Sequence, residues 1–291
     1  MPEEAVMTGP GSIERREGIP YARHDEIELL GDLYLPEGLG PHPIVLAVSG
    51  GAWRFGRRGG LRHWGEYLAR HQIAVFSIDY RQAIASASFP QAARDVLAAA
   101  QFLTAEGERY GLDPRNLSLL GASAGAHLAA LTALAGDSSP IFGGYPADRY
   151  AGLRPNFRAL VGAYGIYDLS AHWQDTRSGN AAAGEDLTER FLGCDPFEDP
   201  RLYALASPLR HVAYRRNSLR VFLTWGTSDM TVSPRQSETF RLALEQARFH
   251  VRTFPVVGAG HFWFSEDAVD DPRGFTAGVG PRIVRFLKRM E

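Results

Sequence analysis

The chain has 291 residues, 45% hydrophobic and 22% charged, with a formal net charge of −2. That composition supplies ample material for a large core, and the near-neutral charge gives no global attraction for nucleic acid or an anionic membrane. The single cysteine, Cys194, excludes an intramolecular disulfide and a cysteine-based metal cluster.

Met1 to Gly18 is polar and acidic with no apolar stretch, so it does not read as a signal peptide. No apolar run reaches the roughly 20 residues of a membrane span, and the expectation is a cytoplasmic protein. Residues 1–20 read as a loose arm ahead of one domain over 21–291. Glu26 to Leu35 alternates as an edge hairpin strand, and the Gly- and Pro-rich Pro36 to Pro43 is the turn after it. Ile44 to Val48 reads as a buried strand, Leu61 to His71 as a helix and Ile73 to Ile78 as a strand. From Pro90, which suits a first helical turn, Val96, Leu97, Ala100 and Leu103 recur at helical spacing. Asp113 to Asn116 is a turn into the next strand. Ala159 to Ala163, Leu219 to Trp225 and Val251 to Val257 continue the strand series, with helices at Gln236 to Ala247 and Arg282 to Met290. The irregular stretch 170–214 reads as a partial cap over the site. Alternating βα units predict an α/β fold, with a mainly parallel sheet of about eight strands flanked by helices.

The most informative stretch is Gly121-Ala122-Ser123-Ala124-Gly125. G-x-S-x-G alone is a weak motif, but here the apolar run Leu117 to Leu120 precedes it. Ala124 to Ala135, small and leucine-rich at helical spacing, follows. Strand, one-residue corner and helix are the context of a nucleophile elbow, in which a strained serine projects above the sheet edge. Small residues two before and two after are needed because strand and helix backbones nearly touch.

Acyl hydrolysis needs a nucleophile, a base, a group orienting the base, and donors for the oxyanion. Ser123 reads as the nucleophile. Asp229 follows the strand Leu219 to Trp225, and His261 follows the last strand in Gly258-Ala259-Gly260-His261, so both lie at carboxyl ends of strands. Taken alone, the aspartate reads equally as a turn former and the histidine as a solvated bystander; the order Ser, Asp, His along the chain favours a triad. His127, four residues after Ser123 on the helix, reads as structural, and His63 and His71 have no motif support. The oxyanion donors are expected to be backbone N–H groups of Ala124, Gly51 and Ala52. A plain Gly-Gly turn is the alternative for that loop.

On these residues the chain resembles the α/β-hydrolase superfamily. Within it, it is similar to esterases of the feruloyl/acetylxylan and hormone-sensitive-lipase-like kind and to kynurenine formamidases. Ser49-Gly50-Gly51-Ala52-Trp53, Asp79-Tyr80-Arg81, Phe89-Pro90, Gly121 to Leu128, Phe191-Leu192-Gly193, Ala206 to Leu209, Gly226 to Asp229 and Gly260-His261 carry the likeness. The resemblance implies a Ser-Asp-His triad, no cofactor or metal, and hydrolysis of a small or aromatic carboxylic ester. An arylformamidase-like amide hydrolase and a lactone or carbamate hydrolase are the alternatives, and a non-catalytic receptor on the same fold is a remote one. A small-molecule ester, no nucleic acid and no membrane are the expected partners, with the chain a monomer or homodimer. One departure is Ser49, which stands where the family usually has a histidine bracing the oxyanion loop.

Ser49, Gly50, Trp53 and Phe262 are the expected substrate-binding residues. The aromatics Trp53, Phe55 and Trp64, and Phe262, Trp263 and Phe264, read equally as a lined pocket and as loop packing. Arg54, Arg57, Arg58 and Arg62 read as a solvated basic face, with recognition of a carboxylate-bearing substrate as the alternative. Cys194 reads as a small residue of the cap.

Overall fold

The computed structural model describes residues 11–24, 26–136, 139–143, 149–178 and 186–288. In chain order the elements are β1 (Ile13–His24), β2 (Ile27–Pro36), β3 (His42–Val48), α1 (Arg62–Arg70), β4 (Ala74–Ile78), α2 (Gln91–Glu106), β5 (Leu112–Ala122), α3 (Ala124–Ala135) and β6 (Phe157–Ala163). Then come α4 (Leu169–Ser178), α5 (Leu187–Leu192), α6 (Pro200–Ala206), β7 (Arg220–Gly226), α7 (Pro234–Gln246), β8 (Val251–Val256), α8 (Trp263–Glu266) and α9 (Gly280–Lys288).

The eight strands form one sheet in the order β1-β2-β4-β3-β5-β6-β7-β8. β1 and β2 are antiparallel to their neighbours, and every pair from β4 to β8 is parallel. The α/β architecture is the one the alternating pattern predicts. β4 is buried along its whole length and β3 nearly so, as strands covered by helices on both faces must be. α3 is buried at all twelve positions, which its run of Ala, Gly and Leu permits. Among the described residues no helix is long and apolar enough to cross a membrane.

Four readings need correction. Of the expected loose arm, residues 1–10 lie outside the described residues, and Ile13 to Pro20 belong to β1, hydrogen-bonded along β2. β2 is therefore the second strand and not the edge. Asp113 to Asn116 does not precede its strand. It lies within β5 as a bulge, because Pro43 pairs with Asp113 while Ile44 pairs with Leu117. The stretch 170–214, of which 179–185 lie outside the described residues, carries three short helices. Asp186 and Asp199 start α5 and α6 by accepting backbone N–H bonds. Among the described residues, none of this stretch lines the cavity described below. The last helix is found as α9, although residues 289–290 of its expected span lie outside the described residues. β8, the far edge, is exposed at half of its positions and tolerates Pro255, as an edge strand can.

Parallel strands carry their carboxyl ends to one rim. Ser49 after β3, Asp79 after β4, Ser123 after β5, Tyr164 after β6, Asp229 after β7 and His261 after β8 therefore gather at the same edge of the sheet.

Candidate active site

Ser123 occupies the single residue between β5 and α3 with φ 53° and ψ −125°. That is a costly conformation for a residue with a side chain. The surrounding glycines explain how it is held. A Cβ on Gly125 would lie 2.0 Å from the Val48 carbonyl oxygen, and one on Gly121 would lie 2.5 Å from that of Gly125. The Ser123 N–H donates to the Ala163 carbonyl at 2.9 Å, tying the corner to β6.

The structure brings Ser123, His261 and Asp229 together across 138 residues of sequence. His261 Nε2 lies 3.1 Å from Ser123 Oγ, and His261 Nδ1 lies 2.6 Å from Asp229 Oδ2. The side chains of His261 and Asp229 are only 3% and 1% exposed. The other Asp229 oxygen accepts the Thr231 and Val232 N–H groups, both at 2.9 Å, so the carboxylate is fixed from two sides. Gly226 lets the β7 and β8 loops meet, since a Cβ there would collide with the Ala259 and Gly260 carbonyls. In this arrangement the imidazole can accept the serine proton while the carboxylate stabilises the resulting cation.

The loop after β3 folds against the elbow. A Cβ on Gly50 would stand 2.9 Å from the Ala122 oxygen and 3.0 Å from Ser123 Cβ. Gly51, Ala52 and Trp53 all have positive φ, at 118°, 51° and 57°, and the Arg54 and Phe55 N–H groups close a tight turn onto the Gly51 carbonyl. Ala124 is the first residue of α3, where backbone N–H groups lack intrahelical acceptors.

Trp53 is not placed to touch a substrate. It is 1% exposed, stacks on Phe191 with centroids 4.6 Å apart, and its Nε1–H donates to His127 Nδ1 at 3.1 Å. His127 in turn donates Nε2–H to the Ala206 carbonyl at 2.8 Å. Burial lowers its pKa to about 4, so it stays neutral. His127 is thus the structural residue expected, and it pins the β3 loop to α3 and the end of α6. Ser49 Oγ is buried without a hydrogen-bond partner among the described residues, so the serine does not brace the loop. Bracing falls instead to the Trp53–His127 bond, to Tyr80 Oη–H donating to the Ser49 carbonyl at 3.1 Å, and to Ala83 N–H on the Trp53 carbonyl.

A cavity of about 780 Å³ opens at Ser123, with Ser49, Gly50, Gly51, Tyr164 and Phe262 in its wall. Of the six aromatics in the two segments, Phe55 and Phe262 are 63% and 49% exposed and face this mouth. Trp64 stacks on Phe264 and donates to its carbonyl, and Trp263 is buried, so these three are packing residues. Arg58 is half-buried and not free: it bonds Asp32 at 2.8 Å and Asp79 at 2.5 Å. His63 and His71 are absent from the cavity wall. Cys194 is half-buried, and desolvation followed by nearby carboxylates raises its thiol pKa, as befits an unreactive residue.

Two residues escaped the sequence reading. The Tyr164 ring lies with its centroid 4.4 Å from that of His261, tilted by 50°, and its hydroxyl reaches Ser265 Oγ; its place directly after a buried strand was the available signal. His172 of α4 is 6% exposed with Nδ1 unpartnered among the described residues, and burial lowers its pKa to about 4. Nothing local in the sequence marks it.

The strand order, with a strained serine between β5 and α3 and an acid and a histidine after β7 and β8, defines an α/β-hydrolase fold. More narrowly, the chain belongs to the BD-FAE family, whose model matches residues 31–244. It is similar to the esterase LipC of Mycobacterium tuberculosis (strain ATCC 25618 / H37Rv), 30% identical over 254 residues that make up 86% of this chain and 59% of LipC. It is also 31% identical over 234 residues to a probable isoprenylcysteine alpha-carbonyl methylesterase, ICMEL1, of Oryza sativa subsp. japonica, covering 74% of this chain and 50% of that protein. The chain therefore spans only half to three-fifths of these relatives' length. Among solved structures, the bifunctional GH43-CE of Bacteroides eggerthii superposes with a TM-score of 0.75 at 26% identity, covering 94% of this chain and 37% of that one.

Proposed function

We propose that this chain is a serine carboxylesterase that hydrolyses a small or aromatic ester through an acyl-enzyme. The observation that carries the reading is the unbroken chain Ser123 Oγ, His261 Nε2, His261 Nδ1, Asp229 Oδ2, with spacings of 3.1 and 2.6 Å. Ser123 attacks the ester carbonyl while His261 takes its proton and passes it to the departing alcohol. Asp229 holds the tautomer with Nδ1–H and stabilises the imidazolium. The amides of Gly51, Ala52 and Ala124 receive the oxyanion, a service worth about 10²–10³ in rate per donor. Water then enters by the same path in reverse and frees the acid.

The mouth, with Phe55 and Phe262 exposed, suits an aromatic or short aliphatic group, and the cavity has room for a small ester. LipC is named an esterase and ICMEL1 a probable methylesterase, which agrees with ester chemistry here. A lone thiol accords with a reducing compartment, the cytoplasm, and with one sheet carrying the whole site, the chain acts as one domain, as a monomer or homodimer. The test is labelling by a fluorophosphonate probe beside hydrolysis of p-nitrophenyl acetate. Wild type is expected to show both and Ser123→Ala neither. Labelling that persists in Ser123→Ala removes the assignment.

A further inference from the structure

The cavity at Ser123 carries six charged side chains in its wall, three arginines and three carboxylates: Arg15, Arg57, Arg58, Glu17, Asp32 and Asp79. Five of them are tied together in ion pairs, two arginines holding three carboxylates. Arg58 binds Asp32 and Asp79, and Arg15 binds Glu17 at 3.2 Å and Asp32 at 3.3 Å. Every carboxylate is thereby engaged, and Arg57 is left with no acidic partner among the described residues.

The backbone under Arg57 is held on both sides. A Cβ on the preceding Gly56 would strike the Tyr80 hydroxyl at 2.1 Å, so that residue sits tight against a buried ring. On the other side Arg58 is fixed through its N–H and guanidinium on Asp79, through Nε on Asp32 and through its carbonyl on Ser77 Oγ–H. The Arg57 carbonyl itself accepts the Gly60 N–H at 2.8 Å. Only the side chain remains uncommitted: an exposed guanidinium on a rigid base, in the wall of the cavity that holds Ser123.

From this geometry we infer that Arg57 is a specificity-determining residue that selects esters bearing a carboxylate at the end remote from the scissile bond. A planar guanidinium with free donors pairs a carboxylate bidentately. The paired arginines cannot do so without stranding Asp32, Asp79 or Glu17. This inference rests on the esterase reading and adds the substrate class to it.

The test compares kcat/KM for monoethyl adipate with ethyl heptanoate, and for 4-acetoxybutyrate with pentyl acetate. The first pair puts the carboxylate on the acyl side and the second on the alcohol side. Wild type is expected to prefer the anionic member of one pair at least tenfold. Arg57→Gln is expected to reduce that ratio about tenfold and Arg57→Lys to restore part of it, with the ratio falling as salt is raised. Thermal unfolding of each variant shows that the fold is intact. A ratio that is unchanged in Arg57→Gln, or a wild type that prefers the neutral member of both pairs, overturns the inference. Failure of wild type to take the fluorophosphonate probe sinks the esterase reading itself and this inference with it, whereas labelling with no anionic preference sinks this inference alone.

Discussion

At the scale of single residues, the site is governed by contacts that leave no room. Gly125→Ala would press a methyl group against the Val48 and Ser49 carbonyls at 2.0 and 2.5 Å. Backbone cannot yield as a side chain does, so a loss of roughly 3 kcal/mol or more is expected, measured by urea denaturation. Ser49→Ala has the opposite sign. It removes a buried hydroxyl that has no partner among the described residues, and stability should rise by about 1 kcal/mol with turnover retained. A loss of turnover equal to that of Ser123→Ala would give Ser49 a direct chemical role. The elbow and the order of Ser123, Asp229 and His261 were legible because small residues and strand–helix switches are local signals. The idle state of Ser49 Oγ was not, since a hydroxyl's partners come from elements remote in sequence.

At the scale of elements, the loop after β3 depends on α3 and the short helices of 169–206. Trp53 connects them, stacked on Phe191 of α5 and bonded to His127 of α3. Trp53→Phe keeps most of the apolar volume but strands His127 Nδ1 inside the protein. The expected result is a drop of about 1–3 kcal/mol in stability, together with a fall in kcat as the loop amides lose their fixed aim. A kcat unchanged while stability falls would show that the loop holds its shape without this bond. In the sequence, Trp53 read as a mouth residue because it follows the oxyanion loop directly. The positive φ at Ala52 and Trp53 turns its ring inward, a result of backbone geometry that neighbouring residue types do not announce.

At the scale of the whole molecule, two buried neutral histidines contribute to the response to acid. His127 and His172 each have a pKa lowered to about 4 by burial, against an ordinary 6.5 once unfolded. Between those values the unfolded chain binds more protons than the folded one, so stability is full above about pH 6.5 and declines toward pH 4. The thermal midpoint is expected to fall across that window, and His172→Gln should make the decline shallower. A midpoint independent of pH from 7 to 4 contradicts this. The outer hairpin matters at the same scale. β1 covers the edge of β2, Arg15 reaches Asp32, and Tyr21 Oη–H donates to the Asp79 carbonyl at 2.6 Å. Removing residues 1–24 should expose the β2 edge and give an aggregating product, read by size-exclusion chromatography.

The amino-acid order by itself determined the parallel βα series, the corner at Ser123 and the rim on which Asp229 and His261 stand. Hydrophobic period, turn residues and chain order act over a few residues and survive without neighbours. Folding in space alone decided that residues 13–24 add a strand, that Arg58 serves Asp32 and Asp79, that Trp53 turns inward, and that Arg57 keeps its charge unspent. Each of those outcomes is a pairing between segments tens of residues apart, and a guanidinium's partner is fixed only when the sheet has brought the carboxylates to it.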